Sequence, residues 1–223
     1  MKYIATGLVN WYAKYHEVDR MLMVSCSFSL ALVFCRLVYT SQTLFLFLVW
    51  NLFLAVIPYL LSGYIARFRS RIYLLSGIIC WLIFLPNSFY ILTDLFHLTE
   101  RPEAPLWFDL ALILSFAWNG LLLGILSIRQ IEKVFVSYFN PRLEILFITL
   151  LMFLNGLGIY IGRYLRFNSW DVLTNPFQLA SDILYLFIHP LRNRFDWSMV
   201  ICFSVLLTLI YFAFKKTARH FHQ

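Results

Sequence analysis

Asp94 and His97 stand three positions apart in FLPNSFYILTDLFHL, residues 84–98, and Arg163 and Arg166 stand three apart in GRYLRFNSWDVLTNP, residues 162–176. On a helix such pairs share a face. A carboxylate so placed can orient an imidazole as a general base, and the two groups can also supply two metal ligands. Two arginines on one face suit bidentate capture of a phosphate or carboxylate. Each pair also has a plainer reading. Asp94 can pair with Arg163 or Arg166 at the rim of a membrane, and the arginines can snorkel toward head groups. Asn168, Ser169, Trp170 and Asp171 read as a turn, with Trp170 an interfacial anchor. The catalytic candidates are therefore Asp94, His97 and Asp171. The ligand-binding candidates are Asn87, Asp94, His97, Arg163, Arg166, Asn168, Trp170 and Asp171. Two residues do not complete a metal site, and none is assigned.

The elements that must position these residues are read from composition. The chain has 223 residues, 61% hydrophobic and 13% charged, with a mean hydropathy of +0.76. Soluble domains carry about 25% charged residues. A soluble fold could not hide so much apolar surface, so the surplus faces lipid. A helix needs about 20 apolar residues to cross a bilayer. Six runs qualify: 21–39, 43–66, 72–92, 106–128, 143–165 and 197–214. The expected fold is an all-α polytopic transmembrane bundle forming one integral-membrane domain over residues 1–223. The short connectors after the first and second runs make those helices antiparallel neighbours. Residues 176–191 are too short and too interrupted for a span, and an interfacial helix is expected near 177–188, between Pro176 and Pro190. Residues 2–20, with Ile4, Leu8, Trp11, Tyr12 and Tyr15 at helical spacing among Lys2, Lys14 and Arg20, suit a short interfacial helix and not a cleaved signal.

The net charge of +7 is the Lys/Arg excess of cytoplasmic loops rather than a nucleic-acid footprint. With the N-terminus inside, twelve of the eighteen basic residues fall on the cytoplasmic side. The cluster Arg67, Arg69 and Arg71 is the firmest anchor. Both termini are then cytoplasmic. Run in these directions, the helices bring Arg36, Asn51, Asn87, Asp94, His97, Asp109, Asn119, Asn155 and Arg163 toward one outward-opening polar pocket. Pro58 and Pro86 free the carbonyls of Leu54 and Leu82, for which Asn51 and Asn87 are candidate partners. Cys26, Cys35, Cys80 and Cys202 all lie in apolar runs and read as small core hydrophobes.

GxSxG, HExxH, Walker and GxGxxG signatures are missing, and no cofactor is expected. GLGIYIGRY, residues 156–164, reads as close helix packing. WLIFLPNSFYILTDLFHL and GIYIGRYLRFNSWDVLTNP resemble the bacterial membrane-protein family catalogued as domain of unknown function 1361. The resemblance rests on Pro86, Asn87, Tyr90, Thr93, Asp94 and His97, then on Gly162, Arg163, Arg166, Asn168, Ser169, Trp170 and Asp171. It implies a multi-span bacterial inner-membrane protein and brings no reaction with it. Three functions stay open: binding of an anionic or lipid head group at the extracytoplasmic side, with or without catalysis; a carrier or flippase for an anionic substrate; or a non-catalytic subunit or assembly factor of a membrane complex. The partners expected are the bilayer and such a head group, with no nucleic acid.

Overall fold

Helix dominates because almost every apolar run is long enough to cross lipid, where backbone polar groups must be satisfied within the segment. The computed structural model describes residues 2–65, 70–138 and 140–220. Arg67 and Arg69, and the side chains of Ile4, Leu8, Trp11, Tyr12 and Tyr15, lie outside that description. The helices are α1 (Lys2–Thr40), α2 (Leu46–Ile65), α3 (Arg71–Tyr90), α4 (Leu106–Tyr138), α5 (Glu144–Tyr160), α6 (Asp171–Thr174), α7 (Pro176–Ile188) and α8 (Arg194–His220). A 3₁₀ turn, Ile91–His97, extends α3, and a π-helical turn, Ile161–Leu165, extends α5. Among the described residues there is no strand, only an isolated antiparallel bridge between Arg101 and Ala104 that closes the α3–α4 loop. Among the described residues six helices are long and apolar enough to span a membrane, the pattern of a multi-pass membrane protein.

The six spans match the six apolar runs, with three differences. Residues 2–20 are not a separate helix: α1 runs unbroken for 39 residues, because no proline or glycine interrupts HEVDRML at the junction. The fourth span does not stop near residue 128 but continues to Tyr138. Its charges end the hydropathy signal without ending the helix, since Glu132 is buried and bonded to Lys215 and Tyr211 of α8. Finally, α1 packs chiefly on α4 rather than on α2. Tyr59 of α2 still donates to Asp19 of α1 at 2.6 Å. A short loop sets the antiparallel direction but does not choose the packing partner.

The axis of the bundle is α4. In its most apolar stretch 67% of residues are buried, against 22–39% in the other five spans. One face of α4 joins α3, α5 and α8 around Trp81, Phe89, Ile128 and Tyr211. The other meets α1 and α2 around Leu48, Leu52, Leu112 and Phe116. Hydroxyls stitch this core: Trp81 Nε1 donates to Ser127 Oγ at 2.7 Å, and Ser127 Oγ donates to the Pro58 carbonyl at 2.8 Å.

GLGIYIGRY behaves as its small residues imply. A Cβ on Gly156 would stand 2.7 Å from the Val200 carbonyl of α8, and one on Gly158 would stand 2.5 Å from Cγ of Pro86 in α3. α5 is thereby clamped between α8 and the proline of α3. The backbone around Pro58 and Pro86 takes different partners from those expected. Asn51 turns away to Asp94, and Asn87 donates to the Phe84 carbonyl at 2.9 Å. Ser169 donates to the Ile83 carbonyl at 3.2 Å, and Ser88 to the Ala55 carbonyl at 3.1 Å. The carbonyls served thus lie one or two residues beyond the freed ones.

Helix α7 has 13 residues, or about 20 Å at 1.5 Å per residue, too short for a hydrocarbon core of about 30 Å. It starts at Pro176, whose missing N–H is harmless at a helix start. Because α7 does not cross, α8 begins at the end of the bundle where α5 stops.

Candidate functional site

The end of the bundle that carries the α1–α2 loop, the 3₁₀ turn and the π-turn brings Asp94, His97 and Arg163 together. Asp94 is fully buried. Its carboxylate accepts from Asn51 Nδ2 at 2.8 Å and lies 3.4 Å from Arg163 Nη1. Arg163 Nη1 also donates to the Tyr90 hydroxyl at 3.2 Å, and Nη2 donates to the Thr93 carbonyl at 2.6 Å. The guanidinium lies over the rings of Phe96 and Tyr90, at 5.4 and 5.6 Å. The plainer reading of Asp94, a pair with Arg163, is therefore the geometry found. It joins α2, α3 and α5 in a buried network whose desolvation is repaid by several hydrogen bonds at once.

His97 sits beside this network but not on the Asp94 carboxylate. Its Nδ1 lies 3.3 Å from the Asp94 backbone carbonyl and 3.2 Å from Arg163 Nη2, and its ring packs 4.9 Å from that of Phe47. The i, i+3 spacing brings the residues together, yet the 3₁₀ turn aims the Asp94 side chain at α2. No carboxylate–imidazole dyad forms between them. Among the described residues no three His, Cys, Asp or Glu side chains come together as a metal-holding group.

The π-turn separates the two arginines. A π-turn adds a residue to the turn and breaks the helical repeat, a feature common at functional sites. Arg166, leaving it, takes a left-handed conformation with φ 60° and ψ 30°. Arg163 is thus turned inward to Asp94, while Arg166 is exposed with no ion-pair partner among the described residues. The i, i+3 pair read as one phosphate clamp is split.

The loop beyond Arg166 is tied to α3 and to itself. Asn87 Nδ2 donates to Ser169 Oγ at 2.8 Å. Asp171 Oδ2 accepts from the Asn168 backbone N–H at 2.6 Å, and Asp171 Oδ1 accepts from the Thr174 hydroxyl at 2.9 Å. The Asn168 N–H, then the Thr174 hydroxyl, hold the Asp171 carboxyl below the usual carboxylate range. This carboxylate serves its own turn and makes no contact with His97. Trp170 meets Trp50 of α2 edge-on at 6.3 Å.

Two residues outside the site candidates join the network: Tyr90, one of those that carry the resemblance, whose hydroxyl completes the Arg163 shell, and Arg101, which donates to the His97 carbonyl at 3.3 Å. Both stand in or beside the 84–98 stretch, so proximity was the available signal. Sequence reasoning also passed over the opposite end of the bundle, where Lys215 bridges Glu132 and Glu144. Their pairing across α4, α5 and α8 has no local signature in the sequence.

A family model described as a protein of unknown function, DUF1361, matches residues 50–210. The chain belongs to this family. No curated protein and no solved structure matches it. Both motif stretches, 84–98 and 162–176, lie within the DUF1361 match, whereas Arg36 and Lys215 lie outside it.

Proposed function

We propose that this DUF1361 protein binds an anionic head group, of a lipid or a lipid-linked molecule, at the extracytoplasmic end of its bundle. The observation that carries the reading is Arg166. It is an exposed cation on a constrained left-handed backbone, without an ion-pair partner among the described residues, beside Asn168 and the Trp170–Trp50 pair. An unpaired guanidinium at head-group depth next to indole rings suits a phosphate or carboxylate. His97 and Arg163 form the floor, with Asp94, Asn87 and Asp171 holding the walls in place. The orientation that makes this end extracytoplasmic has both termini in the cytoplasm of a plasma membrane, by the excess of Lys and Arg on the other side.

A second reading, a non-catalytic subunit of a membrane complex, is favoured by one observation: the Arg163 donors are engaged within the fold. Native mass spectrometry of the gently purified protein separates the two. The head-group reading expects a retained anionic lipid that Arg166→Gln loses. Protein emerging without lipid but with a stoichiometric partner would favour the subunit instead.

A further inference from the structure

The chemistry open to His97 depends on which ring nitrogen carries its proton. Nδ1 lies 3.2 Å from Arg163 Nη2 and 3.3 Å from the Asp94 backbone carbonyl. Arginine stays protonated, so its guanidinium nitrogens only donate, whereas the carbonyl only accepts. Nδ1 therefore either accepts from Arg163 or donates to Asp94. The contact to Arg163 is the shorter of the two and is charge-assisted, hence the stronger. A proton on Nδ1 would set its N–H against the Arg163 donor at 3.2 Å. The Asp94 carbonyl does not need the ring. In the 3₁₀ turn Ile91–His97 it stands where the backbone N–H three residues on is its partner.

The charged groups around the ring act in the same direction. Arg163, in the π-turn after α5, is fixed by the Thr93 carbonyl, the Tyr90 hydroxyl and the Asp94 carboxylate. Arg101 of the α3–α4 loop donates to the His97 carbonyl. The Asp94 carboxylate turns to Asn51 of α2 and to Arg163. Asp109 of α4 is held by Arg36 of α1 at 2.7 Å and lies 3.6 Å from Arg101. From α2 the ring meets only the apolar Phe47. Two cations thus flank His97, and among the described residues no carboxylate is bonded to its imidazole. Nε2 is left as the protonated nitrogen. It has no hydrogen-bond partner among the described residues, and it is not among their buried unpaired atoms.

We propose that His97 is a neutral hydrogen-bond donor to the bound head group: Nδ1 accepts from Arg163, and Nε2–H is offered to an oxygen of the anion. This assignment rests on the head-group reading given above. A ring whose outer nitrogen already holds the proton has no lone pair there, so His97 is not the general base that its spacing from Asp94 suggests. Arg166 then meets the charge of the head group, and His97 meets one of its oxygen acceptors.

The test uses full-length protein in dodecyl maltoside micelles. With isotope-labelled histidine, nitrogen NMR reads both ring nitrogens, and the His97 signals are those lost in His97→Gln. An unprotonated Nδ1 and a protonated Nε2 are expected to persist from about pH 8 to about pH 5.5, through the ordinary imidazole midpoint of about 6.5. A protonated Nδ1, or a doubly protonated ring anywhere in that range, overturns the proposal whatever binds. The second arm titrates delipidated protein with dioleoyl phosphatidylglycerol and counts bound lipid by native mass spectrometry. His97→Phe is expected to weaken binding roughly tenfold, the loss of one hydrogen bond to a charged group. His97→Gln keeps a side-chain N–H and recovers most of that loss. Wild-type affinity in His97→Phe, with Arg166→Gln still losing the lipid, overturns the donor role and leaves the head-group reading standing. Equal loss in both His97 variants would make the ring a packing group and would also overturn it. Wild-type protein that binds phosphatidylglycerol no better than dioleoyl phosphatidylcholine removes the head-group reading, and the donor role with it, even where the NMR finds the expected tautomer.

Discussion

Asp94 draws its environment from three helices, and its energetics follow from complete burial. Removing one partner of a buried ion pair leaves the other uncompensated, at a cost of about 3–5 kcal/mol. Asp94→Leu strands Arg163 and is expected to lower the thermal unfolding temperature sharply in detergent. The Asp94→Leu/Arg163→Leu double variant is expected to regain part of the loss, because paired charges removed together leave no stranded ion. Singles that unfold normally but lose bound lipid would instead assign the pair to function. His97 differs in kind. Its ring touches Phe47 and its Nδ1 faces Arg163, so it stands at the edge of the network rather than at its centre.

At the scale of elements, the clamp of α5 is the most exacting contact. The Pro86 ring is rigid and cannot swing away from a Cβ built 2.5 Å from it. Gly158→Val must therefore push α3 from α5, and overpacking of this kind costs about 1–3 kcal/mol. Gly63→Ala is the control: its Cβ would meet only Gln130 Oε1, at 3.5 Å. It is expected to leave stability unchanged or raise it by up to about 1 kcal/mol through helix propensity. Parallel melting curves of the two variants check this, and equal losses would mean that the glycines matter for propensity alone. The Asp94–Arg163 bond also crosses the α3–α5 contact, so Gly158→Val should loosen the Arg163 shell.

For the whole molecule, the short α7 decides the parity of the spans. With six crossings the two termini share a side, which is the cytoplasm in the orientation proposed above from the basic residues. A reporter active only in the cytoplasm is expected to work at the C-terminus and to fail when inserted in the loop 98–105. The reverse pattern would invert the bundle and move the Arg166 rim to the cytoplasmic face. The Glu132–Lys215–Glu144 cluster ties α8 to α4 and α5 at the opposite end of the bundle.

The spans, the absence of a seventh crossing and the clustering of chemistry-bearing residues at one end were legible in the amino-acid order. Hydropathy, helix length and loop charge are local properties, summed over stretches of about 20 residues. Only the folded bundle decided which polar groups meet. Arg163 and Asp94 are 69 positions apart, and Arg36 and Asp109 are 73 apart, so no helical repeat relates them. The same limit misjudged the asparagines near Pro58 and Pro86, because depth in the membrane fixes one coordinate while rotation about each helix axis fixes the partner. Rotation is set by packing: by Gly158 against Pro86, and by the extra residue of the π-turn that sends Arg163 inward and Arg166 out.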